Sequence, residues 1–340
     1  MKAAFIKDSG SIELREVPVS HIGDHELLIR MRTCGVCGTD IEKMHGEHIT
    51  PPVLGHEVAG EIVEVGPRIR KFQEGDRVIV HHHISCGSCL YCKEGLETLC
   101  EAYPKCNLDP CGFSEFFRVP KELVEGGTVY ELPDTLSFDE GSLVEPTACC
   151  IRALRRSGIK PGNSVAIFGV GPIGLTHTEL LKLSGATCIY AVDILDERRC
   201  LATRFGADAT LDPRDEDVPK AIREGTAGRG VDFAIVATGN TKAIEQACVS
   251  VRKGGHVILF GAPARGAIMS LDVSQFFLRE ISFQSSYSTS EMEMRIALNL
   301  ITQKRITPGR MITHRIPLRD VNDAFRLAVD GRAVKVVVTN

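Results

Sequence analysis

The hydrophobic pattern changes character along the chain. Up to about residue 135 it consists of short apolar runs between Gly/Pro turns, at 26–32, 61–65 and 77–81. Runs this short, bounded by turn formers, predict the strands of a small, irregular β-barrel-like domain. From about 147 to 284 apolar strands alternate with helical stretches. Two continuous apolar runs, 164–169 and 187–192, flank an amphipathic stretch at 175–184, and the runs 231–237, 256–260 and 281–285 follow. Strands that are apolar throughout are buried on both faces, and their alternation with helices predicts a doubly wound parallel sheet. Beyond residue 285 the pattern gives a helix over 291–304 and a final strand over 334–338.

One turn in this pattern carries chemistry. The run 164–169 opens into Gly169-Val170-Gly171-Pro172-Ile173-Gly174, a helix follows, and the next strand ends at Asp193. A G-x-G-x-x-G between strand and helix, with an acid about 20 residues on, is the context of a dinucleotide site. Gly169 makes the tight turn, Gly171 lets the backbone approach a pyrophosphate, and Gly174 permits close helix–strand packing. The helix N-terminus, opening at Pro172 and Ile173, faces the phosphates with free N–H groups, Pro172 itself having none to donate. Asp193 accepts from the ribose hydroxyls of NAD and repels the 2′-phosphate of NADP, and no Arg stands immediately beside it. Arg198 either stacks on adenine or is a solvated helix residue. Thr238 and Gly261 end later strands, where ligands of such sheets bind.

Cysteine changes the picture of the first domain. Cys86, Cys89, Cys92 and Cys100 share one stretch with the turn formers Gly87, Ser88 and Gly95. Four thiolates so spaced suit one closed, structural zinc ion. An iron–sulfur cluster fits less well, because its common run closes after three residues and is followed by Pro. Upstream lie Cys37-Gly38-Thr39-Asp40 and Gly55-His56-Glu57, and downstream Glu145-Pro146. These supply N, S and O donors from separate loops, as a catalytic zinc with an open position requires.

In these motifs, together with Gly112-Phe113-Ser114-Glu115, the chain resembles the zinc-containing medium-chain dehydrogenases/reductases over essentially its whole length. It looks nearest to the sorbitol (polyol) and threonine dehydrogenase branch, which carries Glu145-Pro146 where classical alcohol dehydrogenases place a zinc cysteine. The resemblance implies an α/β architecture: a GroES-like β-barrel catalytic domain over 1–146 with its zinc lobe at 86–100, a Rossmann NAD-binding domain over 147–284, and a return segment, 285–340, completing the first. It also implies one catalytic and one structural zinc, NAD, and a homodimer or homotetramer.

Within that frame Cys37 and His56 are expected as direct ligands of the catalytic zinc. Glu57 and Glu145 are both candidates for the third place, one binding directly and the other through water. Glu145 is favoured as the direct or water-bridged ligand, with Glu57 exchanging with it as substrate arrives, and Cys149 is a minor option. Thr39 stands where the family places a relay hydroxyl, and a turn-capping role suits it equally. Many relatives carry a relay His five residues after the zinc Cys; here Glu42 replaces it, leaving Glu42, His45 or water. His83 matches a substrate-side His of threonine dehydrogenases. In a strand, alternation would let only one of His81, His82 and His83 point inward.

Composition adds exclusions. The net charge of −4 offers no field for nucleic acid or an anionic membrane. Thirteen cysteines without a signal-like apolar core at the start are expected to be reduced thiols and metal ligands of a cytoplasmic protein. The expected activity is zinc-dependent, NAD-linked interconversion of a secondary alcohol of a polyol, sugar or cyclitol and its ketone. The alternatives are threonine-dehydrogenase-like amino alcohol oxidation, a non-redox zinc hydrolase, and a non-catalytic NAD-binding protein.

Overall fold

A computed structural model describes residues 1–7, 10–46 and 53–340. Its strands, in chain order, are β1 (Lys2–Lys7), β2 (Ser11–Glu16), β3 (Leu27–Gly35), β4 (Glu57–Val65), β5 (Arg77–Val80), β6 (Phe116–Val119), β7 (Val129–Glu131), β8 (Ser164–Phe168), β9 (Cys188–Val192), β10 (Ala209–Leu211), β11 (Val231–Val236), β12 (Val251–Leu259), β13 (Ser282–Ser285), β14 (Ile312–Pro317) and β15 (Lys335–Thr339). The chain forms two compact units, Met1–Ala148 with Thr289–Asn340, and Cys149–Ser288.

The first unit joins distant parts of the chain. Its larger sheet runs β14-β15-β3-β4-β5-β7, with β6 added to β3, and β1 and β2 form a separate hairpin. β3 is the organising strand: buried at most positions, it pairs antiparallel with β15, β4 and β6. Gly35, at its end, lies opposite Val337 on one side and Glu57 on the other. The core gathers Leu27, Ile29 and Met31 of β3, Phe113, Phe117, and Phe325 from the return segment.

The second unit is a six-stranded, wholly parallel sheet in the order β10-β9-β8-β11-β12-β13. Strand order reverses between β8 and β11, the switch point at whose carboxyl side such sheets bind ligands. The apolar residues of β8, β9 and β11 are buried throughout, as parallel strands covered on both faces require. No helix of the described residues is long and apolar enough to cross a membrane.

Candidate metal centres and dinucleotide site

The four lobe cysteines come together around a short helix, Leu90–Lys93. One sulfur from each of Cys86, Cys89, Cys92 and Cys100 lies within 4.8 Å of the others. Sulfurs 2.3 Å from a tetrahedral zinc sit about 3.8 Å apart. Cys86–Cys92 at 4.0 Å and Cys89–Cys92 at 3.5 Å bracket that edge. The Ser88 and Cys89 backbone N–H groups and the Ser88 hydroxyl, turned on Cys86 Sγ, bring that thiol down to about 6. The donor set fits a closed zinc site.

A second set is Cys37, His56 and Glu57, whose ligand atoms also lie within 4.8 Å of one another. Cys37 immediately precedes the helix Gly38–Met44, and His56 and Glu57 lead into β4. Asp40, fully buried in the first turn of that helix, ties the pieces together. Its carboxylate accepts from the Cys37 N–H at 3.1 Å and the Gly55 N–H at 2.8 Å, and stands 3.5 Å from His56 Nδ1. Burial opposes charge on His56, but Asp40 and Cys37 outweigh it and raise its pKa well above the usual histidine range. With Nδ1 facing Asp40, the other ring nitrogen is presented as the ligand, the outer carboxylate fixing the ring as in many metal sites. Nothing in the sequence around Asp40 marks it for this role.

Behind Glu57 stands Lys335, the first residue of β15. Its ammonium is ion-paired with Glu57 Oε2 and donates to the Val36 carbonyl at 2.9 Å. Burial disfavours its charge, and Glu57 and Cys37 restore it, leaving the lysine above its ordinary range. Lys335 was also missed, since nothing near it in sequence carries chemistry.

The carboxylate whose oxygen groups with Cys37 and His56 is that of Glu57. Glu145, buried in the first turn of the helix Val144–Ser157, gathers with His81 and His82 within 4.8 Å. The strand alternation weighed for His81, His82 and His83 does not apply, and all three are buried. The reason is that β5 ends at Val80, so the strand alternation does not reach them. The Tyr103 hydroxyl donates to the Thr289 carbonyl at 2.6 Å, so its oxygen accepts from His81 Nε2 at 3.2 Å, which leaves Nδ1 as the lone-pair nitrogen. Burial brings His81 down to about 3, so the ring is neutral. His83 Nδ1 donates to the Cys106 carbonyl at 3.1 Å. The His82 ring lies 4.9 Å from that of His56. Thr39 is half-buried in the first helical turn after Cys37, Glu42 is half-buried and His45 is exposed. Cys149 belongs to neither donor set.

In the second unit Gly169 has φ +86°, a left-handed turn that suits glycine. A Cβ on Gly174 would overlap the Gly169 carbonyl oxygen, so helix Pro172–Leu183 packs this closely only with glycine there. Space around Gly171 is open except for Arg198 Nη1, 3.7 Å from the position of a Cβ. That opening at a helix start fits a pyrophosphate. Asp193 follows β9; its carboxylate accepts from the Val170 N–H at 2.8 Å and the Leu195 N–H at 2.9 Å. A carboxylate has about four acceptor positions, so capacity for ribose hydroxyls is left. Arg198 stands 3.9 Å from Asp193 and leans over the loop instead of extending into solvent. Thr238, just past β11, lies beside Gly169, and Gly261, just past β12, packs against the Thr238 backbone.

A closed four-sulfur lobe, an open three-donor set and a glycine loop at a switch point define a metal-dependent oxidoreductase that uses a dinucleotide. Two family profiles match: "Alcohol dehydrogenase GroES-like domain" over residues 23–134 and "Zinc-binding dehydrogenase" over 172–303. The chain belongs to the zinc-type alcohol dehydrogenase family. It is 33% identical to D-arabitol-phosphate dehydrogenase of Enterococcus avium, over 95% of this chain and 92% of the relative. It is 31% identical to sorbitol dehydrogenase of Bacillus subtilis, over 99% and 97%. A zinc-binding dehydrogenase fold from Sinorhizobium meliloti, solved with NADP, superposes with a TM-score of 0.89 at 34% identity, covering 100% of this chain and 99% of that one.

Proposed function

We propose that the protein interconverts a secondary alcohol of a polyol, sugar or cyclitol and the corresponding ketone, using NAD(H). The observation that carries this is the Cys37–His56–Glu57 set: three buried or half-buried donors of mixed type, which leave one tetrahedral position for a substrate oxygen. When bound there, zinc supplies a Lewis acid that lowers the pKa of an alcohol, and the dinucleotide supplies the hydride acceptor. The chain's own part is to hold and to orient. Cys37, His56 and Glu57 hold the ion, and Asp40 fixes the His56 ring. His81, His82 and Glu145 form a buried polar group suited to the further hydroxyls of a polyol. Thr39, two residues after Cys37, is assigned the passage of the proton outward. The sequence similarity to enzymes named for arabitol phosphate and sorbitol supports the same substrate class.

NAD is favoured over NADP because the Asp193 carboxylate, held in place by Val170 and Leu195, would meet a 2′-phosphate with like charge. The NADP in the Sinorhizobium structure makes a direct comparison necessary. We further read the protein as a homodimer, from the edge position of β13 among the described strands and the exposed apolar side chains of the helix that precedes it in sequence, Val273, Phe277 and Leu278.

The test is a panel of polyols, cyclitols, sugar phosphates, L-threonine and simple alcohols, each with NAD and NADP and followed by absorbance of the reduced cofactor. The largest kcat/KM is expected for a polyhydroxy secondary alcohol with NAD. Fastest turnover of L-threonine or of a simple primary alcohol would overturn the substrate assignment, and equal use of NADP the role of Asp193.

A further inference from the structure

A buried lysine stands behind Glu57. Lys335 comes from β15, Gly35 from β3 and Glu57 from β4, three adjacent strands of one sheet. Lys335 and Val337 share a face of β15, and Val337 lies opposite Gly35, which itself lies opposite Glu57. A Cβ on Gly35 would collide with Glu57 Oε2 and sit 3.1 Å from Lys335 Cε. The missing side chain at position 35 is the space in which the pair meets. The pair is sealed: Glu57 is 1% exposed and Lys335 3%. The Val36 carbonyl takes another ammonium proton, so the lysine is held from two sides.

We propose that Lys335 is a positioning residue that keeps Glu57 a weak, exchangeable metal ligand. One oxygen of the carboxylate is neutralised by the ammonium, and its donor strength toward the ion is reduced accordingly. The ammonium also adds a positive charge close to a site meant for a dication, which loosens the ion further. Such a ligand can yield to an arriving substrate oxygen while Cys37 and His56 stay bound. A carboxylate without this counter-ion would bind the ion more firmly and obstruct that exchange.

This inference rests on Cys37, His56 and Glu57 forming the catalytic metal site, and its test separates the two. The active-site ion is replaced by cobalt(II), whose visible bands report its coordination. Its release to a chelator is then timed, with Cys37→Ala identifying the signal that belongs to this site. Lys335→Met is expected to slow release at least tenfold, shift the cobalt bands and lower kcat more than it changes KM. Lys335→Arg keeps the charge and is expected to stay close to wild type. Lys335→Gln keeps hydrogen-bonding capacity toward Glu57 and Val36 but not the charge, and should reproduce the slow release even if Lys335→Met does not fold. In Lys335→Gln/Glu57→Gln the slowing should vanish, because no carboxylate is left to strengthen. Unchanged or faster release in Lys335→Gln overturns the role of Lys335 alone. Absence of a Cys37-dependent cobalt signal in the wild-type protein overturns both readings.

Discussion

Asp40 shows how much of a metal site rests on a group that does not itself bind the ion. One carboxylate restrains the loop before Cys37, the turn at Gly55 and the ring of His56. Asp40→Asn keeps the shape and removes the charge, and its amide N–H₂ can face His56 Nδ1 and favour the wrong tautomer. Loss of such an outer partner costs about 10–100-fold in metal affinity or activity. That loss is the expected result, with an unchanged far-ultraviolet circular dichroism spectrum, and metal titration of the variant checks it. An affinity equal to wild type would show that His56 is oriented by packing alone. The cysteine lobe and the Cys37–His56 pair were legible in the sequence as candidate donors because Cys and His so spaced have few other uses, while spacing left the carboxylate open between Glu57 and Glu145. Asp40 and Lys335 were not, since each matters through the direction of one side chain and, for Lys335, through pairing with a strand far away in sequence.

At the scale of elements, the close approach of helix Pro172–Leu183 to the turn before it is the most demanding local fit. Gly174→Ala would place a methyl group on the Gly169 carbonyl and push the helix start away. Overpacking of this kind typically costs about 1–3 kcal/mol. We expect a lower denaturation midpoint and a dinucleotide Kd raised at least tenfold, read by urea unfolding and by quenching or enhancement of NADH fluorescence. A variant that binds the dinucleotide normally would show that the loop adapts. The parallel strands were legible because burial on both faces writes continuous apolar runs. Their ends were less so. β12 starts at Val251, five residues before the apolar run, since Gly254 at φ +66° lets an irregular stretch stay in the sheet. β4 starts at Glu57 because Gly60, lacking a side chain, lies against the Arg30 carbonyl of β3. Turn-like residues there mark close strand contact, not a chain reversal. The helix Glu291–Thr302 and strand β15 match the sequence pattern to within two residues, because each is punctuated by polar residues at both ends.

At the scale of the molecule, the open edge of β13 and the apolar helix Val273–Arg279 beside it in sequence suit a second copy of the same chain. Phe277 is 81% exposed and Leu278 69%. Phe277→Asp is expected to shift sedimentation from dimer to monomer and to lower thermal stability, with the four-cysteine lobe still loaded with zinc. A monomer in the wild type at micromolar concentration would remove this reading.

The order of the chain also sets an order in time. Lys335 meets the Val36 carbonyl across 299 residues of sequence. At a synthesis rate of 5–20 residues per second that separation corresponds to roughly 15–60 s on the ribosome. Throughout that interval β3 lacks β15, and Glu57 lacks its counter-ion. The parallel-sheet unit, by contrast, is contiguous from Cys149 to Ser288 and has all its strands before β15 is made. A nascent chain therefore passes through a stage with a complete dinucleotide unit and an unfinished metal unit. In that stage Cys37, His56 and Glu57 are present and Lys335, with its contacts to Glu57 and Val36, is not.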